Sequence, residues 1–229
     1  MCLLLVACLC VACNTSTVQY DKELVIVFDQ SDPLRVKPDA DEISSQFGLN
    51  QDIWQGIRVR VTYISDKDVN TEKIITLEKA DRYMGNTQLR SAQVAHFKKE
   101  LRTAIGGTHT ESSLDHSIIY RTAARQLNVL SISSTKHKYL LVYSDLMENS
   151  EVSFYNPVTL ELLHTHPEII KRQLEKSDTL HNLSGIQVWL LYEPASFTEN
   201  NTYMAVANMY KQMLEAKGAT VHIANSLNL

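Results

Sequence analysis

Oxygen ligands stand at three separated points of the chain. Asp29 and Ser31 fall in Asp29-Gln30-Ser31-Asp32-Pro33, Thr108 follows Gly106-Gly107, and Asp145 follows Ser144. Carboxylates and hydroxyls are hard donors. Together, Asp29, Ser31, Thr108 and Asp145 would suit Mg2+, Mn2+ or Ca2+ rather than zinc. Mg2+ takes few protein ligands and keeps several waters, which leaves a coordination position for a partner's carboxylate. A second account needs no metal. The glycines turn the chain, Thr108 and Thr110 cap the helix that follows, and the two aspartates accept backbone N–H groups at strand ends. Of the two threonines, Thr108 is the candidate ligand and Thr110 the candidate cap.

These residues can meet only if the strands before Asp29 and Asp145 run side by side in one direction. Glu23 to Asp29 (ELVIVFD) and Lys138 to Asp145 (KYLLVYSD) are near-continuous apolar runs, as strands buried on both faces require. Ile186 to Glu193 reads as another strand, and Thr220 to Ala224 as a short closing one. Gly56 to Ser65 alternates, with Ile57, Val59, Val61 and Tyr63 on one side and Arg58, Arg60 and Thr62 on the other. A polar turn joins it to a strand over Thr71 to Lys79, which makes a hairpin at or near a sheet edge. Helical spacing fills the gaps. Asn86 to Ile105 aligns Leu89, Ala92, Ala95, Phe97, Leu101 and Ile105, and the following glycines stop it. Thr110 to Leu130 aligns Leu114, Ile118, Ala123 and Leu127. Further helices are expected from Pro167 to Lys176 and from Asn201 to Gly218, while Pro33 and Pro38 break the segment after Asp29 into loop with a short helix. Strands separated by helices argue for an α/β fold with a mostly parallel central sheet, whose ligands bind beyond the carboxyl ends of the strands.

On these residues the chain resembles the von Willebrand factor A (vWA) family. That family has an Asp-x-Ser-x-Ser motif after its first strand, a threonine in a loop entering a helix, often as Gly-Gly-Thr-x-Thr, and an aspartate closing its fourth strand, often before glycine. Asp29 and Ser31 match the first motif, Thr108 the second and Asp145 the third. The resemblance implies a Rossmann-like three-layer sandwich over roughly residues 22–228: a mostly parallel sheet with one antiparallel edge strand near Gly56 to Ser65, and helices on both faces. It also implies a metal-ion-dependent adhesion site holding Mg2+ or Mn2+, and a protein partner. Two positions depart from the pattern. Pro33 stands where the third hydroxyl is expected, and Leu146 where glycine often follows the aspartate. Losing one hydroxyl ligand lowers the expected metal affinity to the millimolar range.

The cysteines Cys2, Cys8, Cys10 and Cys13 all lie in the first thirteen residues. This excludes a disulfide framework or thiolate metal site in the globular part. The run MCLLLVACLCVA carries no charge and is too short to span a bilayer as a helix. It has the length of a signal-peptide apolar region, and Val11-Ala12-Cys13 resembles the end of a bacterial lipobox. The implied organisation is a signal peptide with its lipidated Cys13 over 1–13, a polar tether over 14–22 and a vWA-like domain over 23–229. Cys8 also fits a lipobox, with a shorter apolar run before it.

Hydrophobic residues make up 44% of the 229 positions and charged residues 21%, enough for one domain with a full core. The net charge of -4 gives nucleic acid no electrostatic footing. No nucleophile elbow, phosphate loop, zinc-binding helix or dinucleotide fingerprint occurs. His164 and His166 have metal-ligand spacing but no third ligand beside them. The expected function is a non-enzymatic one: a lipoprotein of the bacterial cell envelope whose vWA-like domain binds a protein partner. Two alternatives stand beside it. One is a Mg2+-dependent hydrolase using Asp29 and Asp145, with Arg35 the one cation near either motif. The other is a metal-free structural component of an envelope assembly.

Overall fold

A computed structural model describes residues 20–29, 34–64, 72–106 and 117–228 of the chain. Six strands form one sheet: β1 (Lys22–Asp29), β2 (Ile57–Ile64), β3 (Glu72–Leu77), β4 (His137–Tyr143), β5 (Ile186–Leu191) and β6 (Thr220–Ala224). Their order across the sheet is β3-β2-β1-β4-β5-β6. All neighbours are parallel except β2 and β3. The apolar run of β1 is explained by its central place. Leu24, Val25, Ile26 and Val27 are all fully buried, so both of its faces are covered.

The helices are α1 (Ala40–Gln46), α2 (Thr87–Ile105), α3 (Ile119–Ser131), α4 (Pro157–Thr165), α5 (Pro167–Ser177) and α6 (Phe197–Glu215). Local chemistry starts most of them. Asp39 accepts from the N–H groups of Asp41 and Glu42 to open α1, Asn86 from Leu89 N–H to open α2, and Ser196 from Glu199 N–H to open α6. After α6, Gly218 has φ 96, and a Cβ there would meet Ser184 Oγ at 2.8 Å. Among the described residues no helix is long and apolar enough to cross a membrane.

The α/β class and the mostly parallel sheet match expectation. Four local readings are corrected. The antiparallel edge strand is β3, and β2 is an inner strand parallel to β1. The buried stripe of α2 runs through Arg90, Val94, Phe97, Leu101 and Ala104, while Leu89, Ala92 and Ala95 face solvent. Arg90 explains the rotation. It is buried because its Nε donates to Ile53 O at 2.5 Å and its Nη2 to Gln55 O at 2.8 Å. The residues 157–165 form a helix that was not expected, opened by Asn156, which accepts from Val158 N–H, with Pro157 in the first turn. Finally, α3 begins only at Ile119, because Ser117 pairs with Asn149 as an antiparallel bridge before it.

Candidate functional site

In this strand order β1 and β4 lie side by side, and the chain's path across the sheet reverses between them. The crevice beyond their carboxyl ends is the favoured ligand position of an open α/β sheet. Asp29, the last residue of β1, is buried there. Its Oδ2 accepts from Ser144 Oγ at 2.9 Å and from Ser117 Oγ at 3.3 Å. Ser144 follows β4 directly, and Ser117 precedes α3. Three elements therefore bring a carboxylate and two hydroxyls to one buried point.

The turn after β4 is folded on its own side chains. Ser144 Oγ accepts from Leu146 N–H at 2.9 Å, and Asp145 Oδ1 accepts from Met147 N–H at 2.9 Å. Leu146 has φ 61, in the left-handed region that favours glycine. The position where the resemblance leads one to expect glycine thus carries a glycine-like backbone with a buried leucine on it. The half-buried Asp145 is close enough for its charge to act on the Tyr203 hydroxyl. Burial, and then that charge, push Tyr203 up.

Glu148 lies three residues further on and was not singled out by the sequence. Its Oε2 accepts from Ile119 N–H at 3.0 Å, from Tyr120 N–H at 2.7 Å and from Tyr210 OH at 3.3 Å, and its Oε1 from Ser150 Oγ at 2.6 Å. It supplies the cap that Ile118 cannot give to α3. Burial pushes its carboxyl up to about 7, against the pull of these donors. With the backbone bonds of Ser117 to Asn149, Glu148 ties the loop after β4 to the start of α3.

Of the expected ligands, Asp29 ends β1, and Asp145 lies in the turn two residues past the end of the neighbouring β4. Ser31, Thr108 and Thr110, the last expected to cap a helix, lie outside the described residues, as does Cys13. Ser117 and Glu148 enter the site through tertiary folding, and no motif marks them. His164 and His166 sit exposed at the junction of α4 and α5, where His166 faces Glu168 at 3.5 Å. Among the described residues no group of three or more His, Cys, Asp or Glu side chains could hold a metal ion. A cation at Asp29 would therefore need hydroxyl ligands. Ser117 and Ser144 place two hydroxyls beside Asp29, and oxygen donors of this kind fit Mg2+ or Mn2+ rather than zinc.

No family model matches the chain, and no curated protein matches it. Among solved structures, a point mutant of the PilB minor pilin from Streptococcus sanguinis is similar with a TM-score of 0.47 and 10% sequence identity. The alignment covers 91% of this chain and 58% of the pilin chain, so the chain spans less than two thirds of that protein.

Proposed function

We propose that this chain is a membrane-anchored bacterial lipoprotein, lipidated at Cys13, whose vWA-like domain binds a protein partner at the carboxyl end of its sheet. The observation that carries the reading is the buried Asp29 carboxylate, met by hydroxyls from two other elements where β1 and β4 adjoin. Support for a three-layer sandwich comes from the burial of β1 on both faces and from the strand order with one antiparallel edge. Support for a protein partner comes from the rim. Tyr155 and Val158 follow β4, and Phe197 follows β5; all three are exposed on elements leading away from the site. When bound, Mg2+ or Mn2+ at Asp29, Ser31, Thr108 and Asp145, aided by Ser117 or Ser144, would present an electrophilic position to a carboxylate of the partner. Pro33 in place of a hydroxyl makes that binding weak.

The experiment is thermal melting against Mg2+ and Mn2+ concentration, in wild type and Asp29→Ala, paired with pull-down from native membranes. A metal that binds only the native state raises the melting temperature through RT ln(1 + [L]/Kd). The reading expects a shift in wild type that Asp29→Ala loses, together with loss of the captured protein. No shift, with Asp29→Ala melting higher, would leave a metal-free envelope component. Turnover of a phosphate ester that Asp29→Ala abolishes would instead select the hydrolase.

A further inference from the structure

The amino end of the sheet, opposite Asp29, carries a surface of a different kind. After β3 the chain makes the turn Asp81-Arg82-Tyr83-Met84-Gly85 before α2. Tyr83 is 94% exposed and Met84 88%, the two most exposed large apolar residues described. Ile132, in the turn after α3, is 81% exposed and stands five residues before His137. His137, Tyr83, Trp54, Lys79, Lys22 and Asp21 line one open groove of about 530 Å³.

This turn is built. Asp81 Oδ1 accepts from Tyr83 N–H at 2.7 Å and Met84 N–H at 3.0 Å. Arg82 Nη2 reaches Asp52 Oδ1 at 3.1 Å, and Ala80 N–H donates to Trp54 O at 3.0 Å. Gly85 lies against Trp54, where any Cβ would run into the indole and the Asp81 carbonyl. Two large apolar side chains are therefore held out in water by a fixed backbone, at a cost that only a covering surface removes.

The chain's own path indicates that surface. It enters the fold at Tyr20 and Asp21. Tyr20 lies under the Arg58 guanidinium at 4.3 Å, and Asp21 Oδ1 pairs with Lys79 Nζ at 2.7 Å. Six residues lie between Cys13 and Tyr20, a reach of at most about 25 Å. A lipid on Cys13 would hold this end of the domain nearest the bilayer. We infer that the Tyr83–Met84 turn, with Ile132 and the groove beside it, seats the domain on the membrane interface. Tyrosine suits headgroup depth, and methionine the acyl boundary below it. The cations Lys79 and Arg82 already face Asp21 and Asp52. The seat therefore works chiefly by apolar insertion.

This inference rests on the anchor reading, and the test separates the two. The full chain is produced in bacteria with p-benzoylphenylalanine replacing Tyr83, or replacing Phe197 at the opposite end as control. It is reconstituted in phosphatidylethanolamine–phosphatidylglycerol vesicles and irradiated, while palmitate labelling of Cys13 is scored separately. Unchanged melting temperatures show that both variants fold. The seat expects several-fold more lipid adducts at position 83 than at 197, unchanged by high salt and lost as Met84→Ser and Ile132→Ser are added. Equal or absent lipid adducts with Cys13 labelled overturn the seat and leave the anchor standing. Lipid adducts at 83 without labelling keep the seat and remove that anchor. Crosslinking of position 83 to a protein overturns the seat in favour of a protein interface.

Discussion

Glu148 and Leu146 are the residues at which the site's local chemistry is most exposed to experiment. The Glu148 carboxyl rises from 4.5 to about 7 on folding because it is buried. The fold thus prefers its protonated form. Its contribution is fully present below 4.5 and is lost as pH rises towards about 7. Glu148→Gln keeps an acceptor for Ile119, Tyr120 and Tyr210 and removes the titration. The difference in melting temperature between wild type and Glu148→Gln should therefore move against wild type across that window, by an amount worth on the order of 3 kcal/mol. Parallel pH curves would show that the burial does not act on this group. At Leu146 the usual order of Gly and Ala should invert. Both variants lose a buried side chain and should be less stable than wild type, by about 2–5 kcal/mol. Leu146→Gly also relieves a left-handed backbone worth about 1 kcal/mol, so chemical denaturation should rank it above Leu146→Ala. The Glu148 cap was not legible in the sequence, and the backbone at Leu146 was legible only in part. A glutamate in SDLMEN looks like any surface acid, and a leucine does not itself announce positive φ, although the resemblance marks its position as one where glycine is common.

At the scale of elements, the sequence served best where the hydrophobic period was uniform. The runs VIVF and LLVY placed β1 and β4, and hence Asp29 and Ser144, because a strand buried on both faces leaves few other readings. It served less well where polar side chains do core work. Counting only apolar positions rotated α2, since Arg90 buries a guanidinium between two carbonyls. Arg58 and Arg60 looked like the wet side of a strand. Both reach the fully buried Glu23 of β1, at 3.6 and 3.1 Å, and Ser133 Oγ donates to the same carboxylate at 2.5 Å. Burial pushes the Glu23 carboxyl up, but these partners outweigh it and hold the group below its usual value. The tie between α2 and the lead-in to β2 can be tested directly. Arg90→Met keeps the stem and leaves the carbonyls of Ile53 and Gln55 without their donors. The cost should be about 2 kcal/mol, seen as a lower urea midpoint at unchanged slope. A changed slope would mean that the lead-in to β2 has come loose in the native state.

For the whole molecule, the two ends of the sheet differ in kind. One end gathers buried oxygens around Asp29, and the other holds Tyr83, Met84 and the chain's point of entry. If the domain is anchored by its tether and grips a partner at Asp29, a pull on that partner runs along β1 from Asp29 to Lys22. β1 is hydrogen-bonded on both sides, in register with β2 from Lys22 to Asp29 and with β4 from Lys22 to Phe28. A pull between Tyr20 and Asp29 is carried by the covalent backbone of one extended strand, so single-molecule stretching at these two points should leave the fold intact at forces that unfold it when it is pulled between Tyr20 and Asn228. Unfolding at the same force in both geometries would show that the load leaves β1 for its neighbours. With tension borne along the backbone of its central strand, held straight by ladders on both sides, the fold acts as a tension member, and under the proposed function its stiffest line would run from tether to partner.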